Sequence, residues 1–134
     1  MDLESQATNI TMTVLCVDDE VFILKSLKRL LHRLEYQLLL AEDAAQALEI
    51  MQQQRVHLIM TDMKMPGMSG AQLLETVATD FPDTYRIMLT GHSDLDTTGD
   101  AANTETIHRY LQKPWDNQEI IDAIEGGLNT VRLR

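Results

Sequence analysis

The sequence predicts an α/β domain, a doubly wound parallel sheet of five strands in the order 2-1-3-4-5 with helices on both faces. Three observations predict it. Short apolar runs alternate with helix-patterned stretches five times along the 134 residues. The first, third and fourth runs are the most apolar, as central parallel strands covered on both faces must be, while the second and fifth are more polar and suit the edges. Capping signals stand where three of the helical patterns begin.

The runs are Met12–Val17, Tyr36–Ala41, Val56–Thr61, Tyr85–Thr90 and Ile107–Gln112, each about the length of a strand. After the first, Leu24, Leu27, Leu31 and Leu34 recur at helical spacing. Ala44, Ala47, Leu48 and Met51 do so after the second, and Leu74, Val77, Ala78 and Phe81 after the third. The fourth helix, within DLDTTGDAANTETIHR, is built from poor helix formers and is expected to be short or mobile. The last uses Ile120, Ile121, Ile124, Leu128 and Val131. Gly126 and Gly127 cost it up to about 1 kcal/mol each relative to Ala, so they are expected to mark its end. Asp43 with Gln46, Ser69 with Gln72 and Asp116 with Glu119 pair a side-chain acceptor with a group three residues on that can reach back.

A chain of this length buries about two thirds of its unfolded surface, enough for one domain. The domain is expected over residues 12–131, with 1–11 as an N-terminal tail and 132–134 as a C-terminal tail or the start of a linker. No run reaches the roughly 18 apolar residues of a membrane span, and the N-terminus lacks a secretory signal, so a cytoplasmic location is expected. With 21 Asp and Glu against 11 Lys and Arg, the chain carries a net charge of −10. Such a domain repels phosphate backbones and anionic lipid, which argues against nucleic acid or membrane as partner. Cys16, the single cysteine, excludes an internal disulfide and reads as a buried apolar residue. The four histidines have no zinc-ligand spacing.

The predicted order puts a crevice where the winding reverses, at the carboxyl ends of strands 1 and 3. Asp18, Asp19 and Glu20 follow strand 1, Asp62 ends strand 3, Thr90 closes strand 4 and Lys113 follows strand 5. Taken singly these have plain readings: an acid pair caps a helix, a threonine fills a strand, a lysine is solvated. Together at four strand ends they fit phosphoryl chemistry. Clustered carboxylates repel, and a hard divalent ion with oxygen ligands, Mg²⁺ above all, relieves the repulsion.

The stretches VDDE at 17–20, DMKMPGMSG at 62–70, LTG at 89–91 and YLQKP at 110–114 carry a resemblance to the response-regulator receiver domains of bacterial two-component systems, whose fold is flavodoxin-like. The resemblance implies Asp62 as phosphoacceptor, with Asp18, Asp19, Asp62 and the main-chain carbonyl of Lys64 holding Mg²⁺. It implies that Thr90 and Lys113 meet phosphoryl oxygens, and that Thr90 and Tyr110 act as switch residues, Tyr110 rotating inward to repack the face of the fourth helix, fifth strand and last helix. A cis Lys113–Pro114 bond is expected, since X–Pro bonds pay only about 0.5–1 kcal/mol for cis, and it should turn the Lys113 ammonium back to within salt-bridge reach of Asp62. The implied partners are a sensor histidine kinase or phosphotransfer protein, an output domain fused or separate, and a second copy in a phosphorylation-dependent homodimer. The domain itself is then not an enzyme, beyond catalysing its own phosphoryl transfer and autodephosphorylation.

YLQKPWD and LTGHSD are similar to receivers joined to HD-type phosphohydrolases that cleave cyclic di-GMP, and the finish VRLR after a Gly pair points to a chain that continues. Two other classes compete. A haloacid-dehalogenase-like phosphatase needs DxDx[TV] after strand 1, which Asp18-Asp19-Glu20 does not supply. A flavin carrier of related fold needs a Ser/Thr-rich phosphate loop there, and none follows.

Overall fold

The computed structural model describes residues 11–32, 35–91 and 106–133. Among them five strands, β1 (Thr13–Val17), β2 (Gln37–Ala41), β3 (Leu58–Asp62), β4 (Tyr85–Thr90) and β5 (Arg109–Gln112), form one parallel sheet in the order β2-β1-β3-β4-β5. Four helices are described: α1 (Val21–Leu31), α2 (Ala44–Gln53), α3 (Gly70–Asp80) and α4 (Asn117–Arg132). The stretch expected to form the fourth helix lies mostly outside the described residues, so the expected fifth helix is here α4.

Alternation along the central strands sends side chains to two cores. Val14 and Cys16 of β1, Leu58 and Met60 of β3, and Ile87 and Leu89 of β4 pack under α1 and α4. Leu15 and Val17, with Ile59 and Met88, pack under α2 and α3. Each fully buried leucine contributes about 1.5–3 kcal/mol by leaving water. That sandwich holds the strand ends in place. Burial pushes the Cys16 thiol up to about 12, with Asp18 adding to it, so this cysteine behaves as core rather than as a nucleophile.

All three N-cap acceptors are engaged, and one of the three pairs closes as a reciprocal box. Ser69 and Gln72 make the full reciprocal box at the start of α3. Asp43 accepts from Gln46 N, but Gln46 reaches back one residue further, to Glu42 N. Asp116 accepts from Glu119 N at 3.2 Å.

Gly126 and Gly127 do not end the last helix, which runs on to Arg132. A Cβ at Gly127 would lie 2.6 Å from the Tyr85 ring and 2.7 Å from Leu58 Cδ1, whereas one at Gly126 would meet open space. Gly127 therefore lets α4 sit directly on β3 and β4, and that packing outweighs its poor helix propensity.

Strands 3 and 5 begin later than the apolar runs imply, and a histidine stands just before each. His57 donates its N–H to Thr13 O at 2.9 Å and accepts Thr13 N–H on its ring Nδ1 at 2.9 Å. His108 does the same to Arg86, at 2.9 and 3.0 Å. At each start an imidazole nitrogen takes the N–H that a main-chain carbonyl would take further up the ladder.

Candidate functional site

Asp18 leaves the end of β1 with its N–H on Ala41 O, and its side chain is wholly buried. Its Oδ1 accepts Glu20 N at 2.9 Å, and its Oδ2 accepts Lys113 Nζ at 3.1 Å. Asp18 therefore does not cap α1, whose N-cap residue Glu20 has no side-chain cap hydrogen bond; one of its oxygens holds the turn before the helix and the other meets Lys113. Asp62, the last residue of β3, is 7% exposed and accepts Lys113 Nζ on Oδ1 at 2.8 Å. Asp19 is exposed beside them. Asp18, Asp19 and Asp62 each present a carboxylate oxygen within 4.8 Å of the others.

Asp18, Asp62 and Lys113 all hold their protons more tightly than usual. Burial pushes the Asp18 and Asp62 carboxyls above the ordinary range, outweighing the pull of Lys113. For Asp62 the charges of Asp18 and Asp19 push the same way. Burial works against the Lys113 ammonium too, but its hydrogen bond to Asp62 and the two acid charges hold it above an ordinary lysine. A set of hard oxygen donors with surplus negative charge suits a divalent ion of the Mg²⁺ kind.

Lys113 follows β5, its N–H on Thr90 O at 2.7 Å, and the Lys113–Pro114 bond is cis. Lys113 thus reaches both buried carboxylates, the contact with Asp62 being the one expected from the sequence and that with Asp18 an addition. Thr90 closes β4 with its hydroxyl buried and, among the described residues, without a hydrogen-bond partner. A buried hydroxyl without a partner costs about 1–3 kcal/mol.

Register pairs Thr90 with Gln112 and Met88 with Tyr110, so Thr90 and Tyr110 face the same side of the sheet one rung apart. The Tyr110 hydroxyl is enclosed here, and burial raises its pKa. An inward rotation of Tyr110 therefore does not start from a solvent-exposed hydroxyl in this structure. Lys64 is exposed beside an apolar hollow lined by Met63, Met65, Pro66 and Ser69.

The response regulator receiver domain family matches residues 14–125. The chain belongs to this family. It is similar to the signal receiver domain of an HD domain-containing protein from Pseudomonas fluorescens, at 38% identity over 92% of this chain and 99% of that one, with a TM-score of 0.86. The sporulation initiation phosphotransferase F of Bacillus subtilis is 30% identical over 84% of this receiver and 90% of its own length. The hydrogenase transcriptional regulatory protein HoxA of Bradyrhizobium diazoefficiens is 30% identical over 91% of this chain, which spans only 25% of that regulator. Receivers of this family are in general phosphoacceptors that work with histidine kinases or phosphotransfer proteins. The haloacid-dehalogenase and flavin-carrier alternatives give way to this membership. Among the described residues no helix is long and apolar enough to cross a membrane.

The sequence reading missed the second arm of Lys113. Nothing in the chain marks a contact between residues 95 positions apart, because it depends on where β1 and β5 end relative to one another.

Proposed function

We propose that this receiver is a phosphorylation-activated switch in which Asp62 takes a phosphoryl group from a phosphohistidine on a sensor histidine kinase or phosphotransfer protein. The observation that carries the reading is the single ammonium of Lys113 bridging Asp18 and Asp62 at the reversal of the sheet. Lys113 holds Asp62 Oδ1, and we assign Oδ2 as the attacking atom. The O–P bond forms in line as the N–P bond breaks, and the donor imidazole leaves with the electron pair and takes up a proton. Asp18, Asp19, Asp62 and the carbonyl of Lys64 would hold Mg²⁺, which when bound supplies positive charge opposite the phosphoryl oxygens. Lys113 offsets a second part of that charge, and the buried hydroxyl of Thr90, without a partner among the described residues, donates to a phosphoryl oxygen.

Drawing Thr90 toward the site frees space beside Tyr110 and repacks the face of β5 and α4, the fourth helix expected from the sequence lying mostly outside the described residues. To move that face from 1:99 to 99:1 in favour of the active state, phosphorylation must favour it by about 5.5 kcal/mol. The working unit is residues 12–131, in the cytoplasm, with a second copy as one candidate partner for the repacked face. Similarity to the receiver of an HD domain-containing protein favours a second reading for the whole gene product, a receiver regulating a C-terminal HD-type phosphohydrolase.

Incubation with acetyl phosphate and Mg²⁺ tests the first reading by intact mass. One base-labile phosphoryl group is expected on the wild type and on Asp80→Asn, whose side chain is exposed at the end of α3, and none on Asp62→Asn. Uptake that persists in Asp62→Asn overturns it.

A further inference from the structure

The main chain at Asp62 is held from two sides. Thr61, fully buried, donates from Oγ1 to the Asp62 carbonyl oxygen at 3.0 Å and rests 3.9 Å from Met65 Sδ. From the other side the chain leaves through residues 63–69 and returns so that Gly70, the first residue of α3, lies against the same carbonyl. A Cβ on Gly70 would run into Asp62 O and come within 3.0 Å of Asp62 C and Met63 Cα. All three neighbours are backbone, which cannot swing aside as the end of a side chain can.

The returning loop is itself tied down. Gly70 N–H donates to Met63 O at 2.8 Å and Met63 N–H to Leu89 O at 3.1 Å, while Gly67 turns the chain at φ +77°. Met65, 8% exposed, plugs it into the core, and the Ser69–Gln72 box sets the first turn of α3. A displacement at Gly70 therefore has no slack to spread into except the peptide that carries Asp62.

We propose that Thr61 and Gly70 are positioning residues for the phosphoacceptor. Acting through the Asp62 carbonyl, they set the direction of the Asp62 carboxylate and of the strand exit toward Lys64, and so the affinity for the divalent ion and the rate of phosphoryl uptake. The assignment rests on the proposed function of the site. Gly127 supplies the contrast, because its close approach is to the side chains of Tyr85 and Leu58 and serves only the seating of α4.

Calorimetric titration of Mg²⁺ into the wild type, Gly70→Ala, Thr61→Val, Thr61→Ser and Gly127→Ala, paired with melts without metal, tests it. Residues that orient a ligand from behind typically cost about 10–100-fold in metal affinity when replaced, so Gly70→Ala is expected to weaken Mg²⁺ about tenfold or more. Thr61→Val should weaken it several-fold, Thr61→Ser should restore it, and Gly127→Ala should melt earlier with wild-type affinity. Uptake from acetyl phosphate should fall in the same order. If the wild type neither binds Mg²⁺ nor takes up phosphoryl, the proposed function fails. If it does both and the folded Gly70→Ala and Thr61→Val match it, or if Gly127→Ala loses affinity equally, the positioning role is overturned. Should Gly70→Ala not fold, the Thr61→Val and Thr61→Ser pair decides alone.

Discussion

At the carboxyl ends of β1, β3 and β5, four charged groups share one small volume, whereas at the amino ends of the same sheet several buried polar side chains are taken up by main chain. There Arg86, 5% exposed, donates to the carbonyls of Thr106, Thr84 and Pro82, Thr84 Oγ1 donates to Val56 O, and two imidazoles accept backbone N–H groups. Both rims are polar and buried. The difference lies in the company these groups keep: on the amino rim Arg86, Thr84, His57 and His108 each bond main-chain groups, and on the carboxyl rim like charges stand together and, among the described residues, the Thr90 hydroxyl has no hydrogen-bond partner. One rim closes the fold, and the other holds a surplus of charge and hydrogen-bonding capacity that a cation and a phosphoryl group can use.

The sharpest way to break this comparison is to remove the ammonium that bridges Asp18 and Asp62. The Asp18 side chain is 1% exposed and that of Asp62 10%, so Lys113→Ala leaves two carboxylates buried without their cation. Removing one partner of a buried pair costs on the order of 3 kcal/mol, reduced here as the acids take up protons. Urea titrations at neutral pH in a chelator should show that loss, and added Mg²⁺ should recover part of it. The variant should still take up phosphoryl slowly but fail to shift the environment of Tyr110. A Lys113→Ala protein as stable as the wild type in chelator would mean that the carboxyl rim is not charge-strained.

The two rims were not equally legible in the sequence. Asp62, Thr90 and Lys113 could be placed because each stands where an apolar run stops, and β4 occupies the predicted Tyr85–Thr90. The strand order followed from which runs were most apolar. On the amino rim the reading ran too far, taking His57 and His108 into strands 3 and 5, because a ring nitrogen standing in for a carbonyl leaves no mark in composition. Gly127 was misread for a related reason: propensity counts the missing side chain as a loss, and only the approach of Tyr85 reveals it as clearance. The bridge from Lys113 to Asp18 and the lock on the Asp62 carbonyl are three-dimensional facts with no local signature.

Acid should act on the two rims with opposite sign. His57 Nδ1 can accept the Thr13 N–H only while it lacks a proton, and burial, with the charge of Arg55 second, holds its pKa below the ordinary value. The unfolded chain then binds the proton first. The His57 contribution is whole above about pH 6.5 and is lost as the pH falls below that toward the folded value, at up to about 1.4 kcal/mol per pH unit. Asp18 and Asp62 are raised, so their charged forms cost stability at neutral pH, and that cost is relieved as the pH falls through their folded values. His57→Gln supplies an acceptor that does not titrate. Denaturant titrations at pH 7.5 and 5.5 should show the wild type losing more stability than this variant on acidification. Equal losses would remove His57 as the acid-sensitive element of the amino rim.

The smallest expected effect separates the metal reading of the acids from the capping one. Asp19 is exposed, yet its charge adds to those that raise the Asp62 pKa. Without metal, Asp19→Asn removes a repulsion that no hydrogen bond of Asp19 offsets among those described, so the variant should be more stable, by about 0.2–0.5 kcal/mol as is usual for exposed charges. The gain should shrink as salt shortens the screening length from about 10 Å at 0.1 M to about 3 Å at 1 M. With Mg²⁺ the sign should reverse, because the variant has lost an oxygen ligand and gains less from the ion. Paired melts across salt and Mg²⁺ check both halves. A variant less stable without metal and unchanged in Mg²⁺ affinity would show Asp19 to be a loop cap, and would leave Asp18 and Asp62 as the only acids of the carboxyl rim that a divalent ion senses.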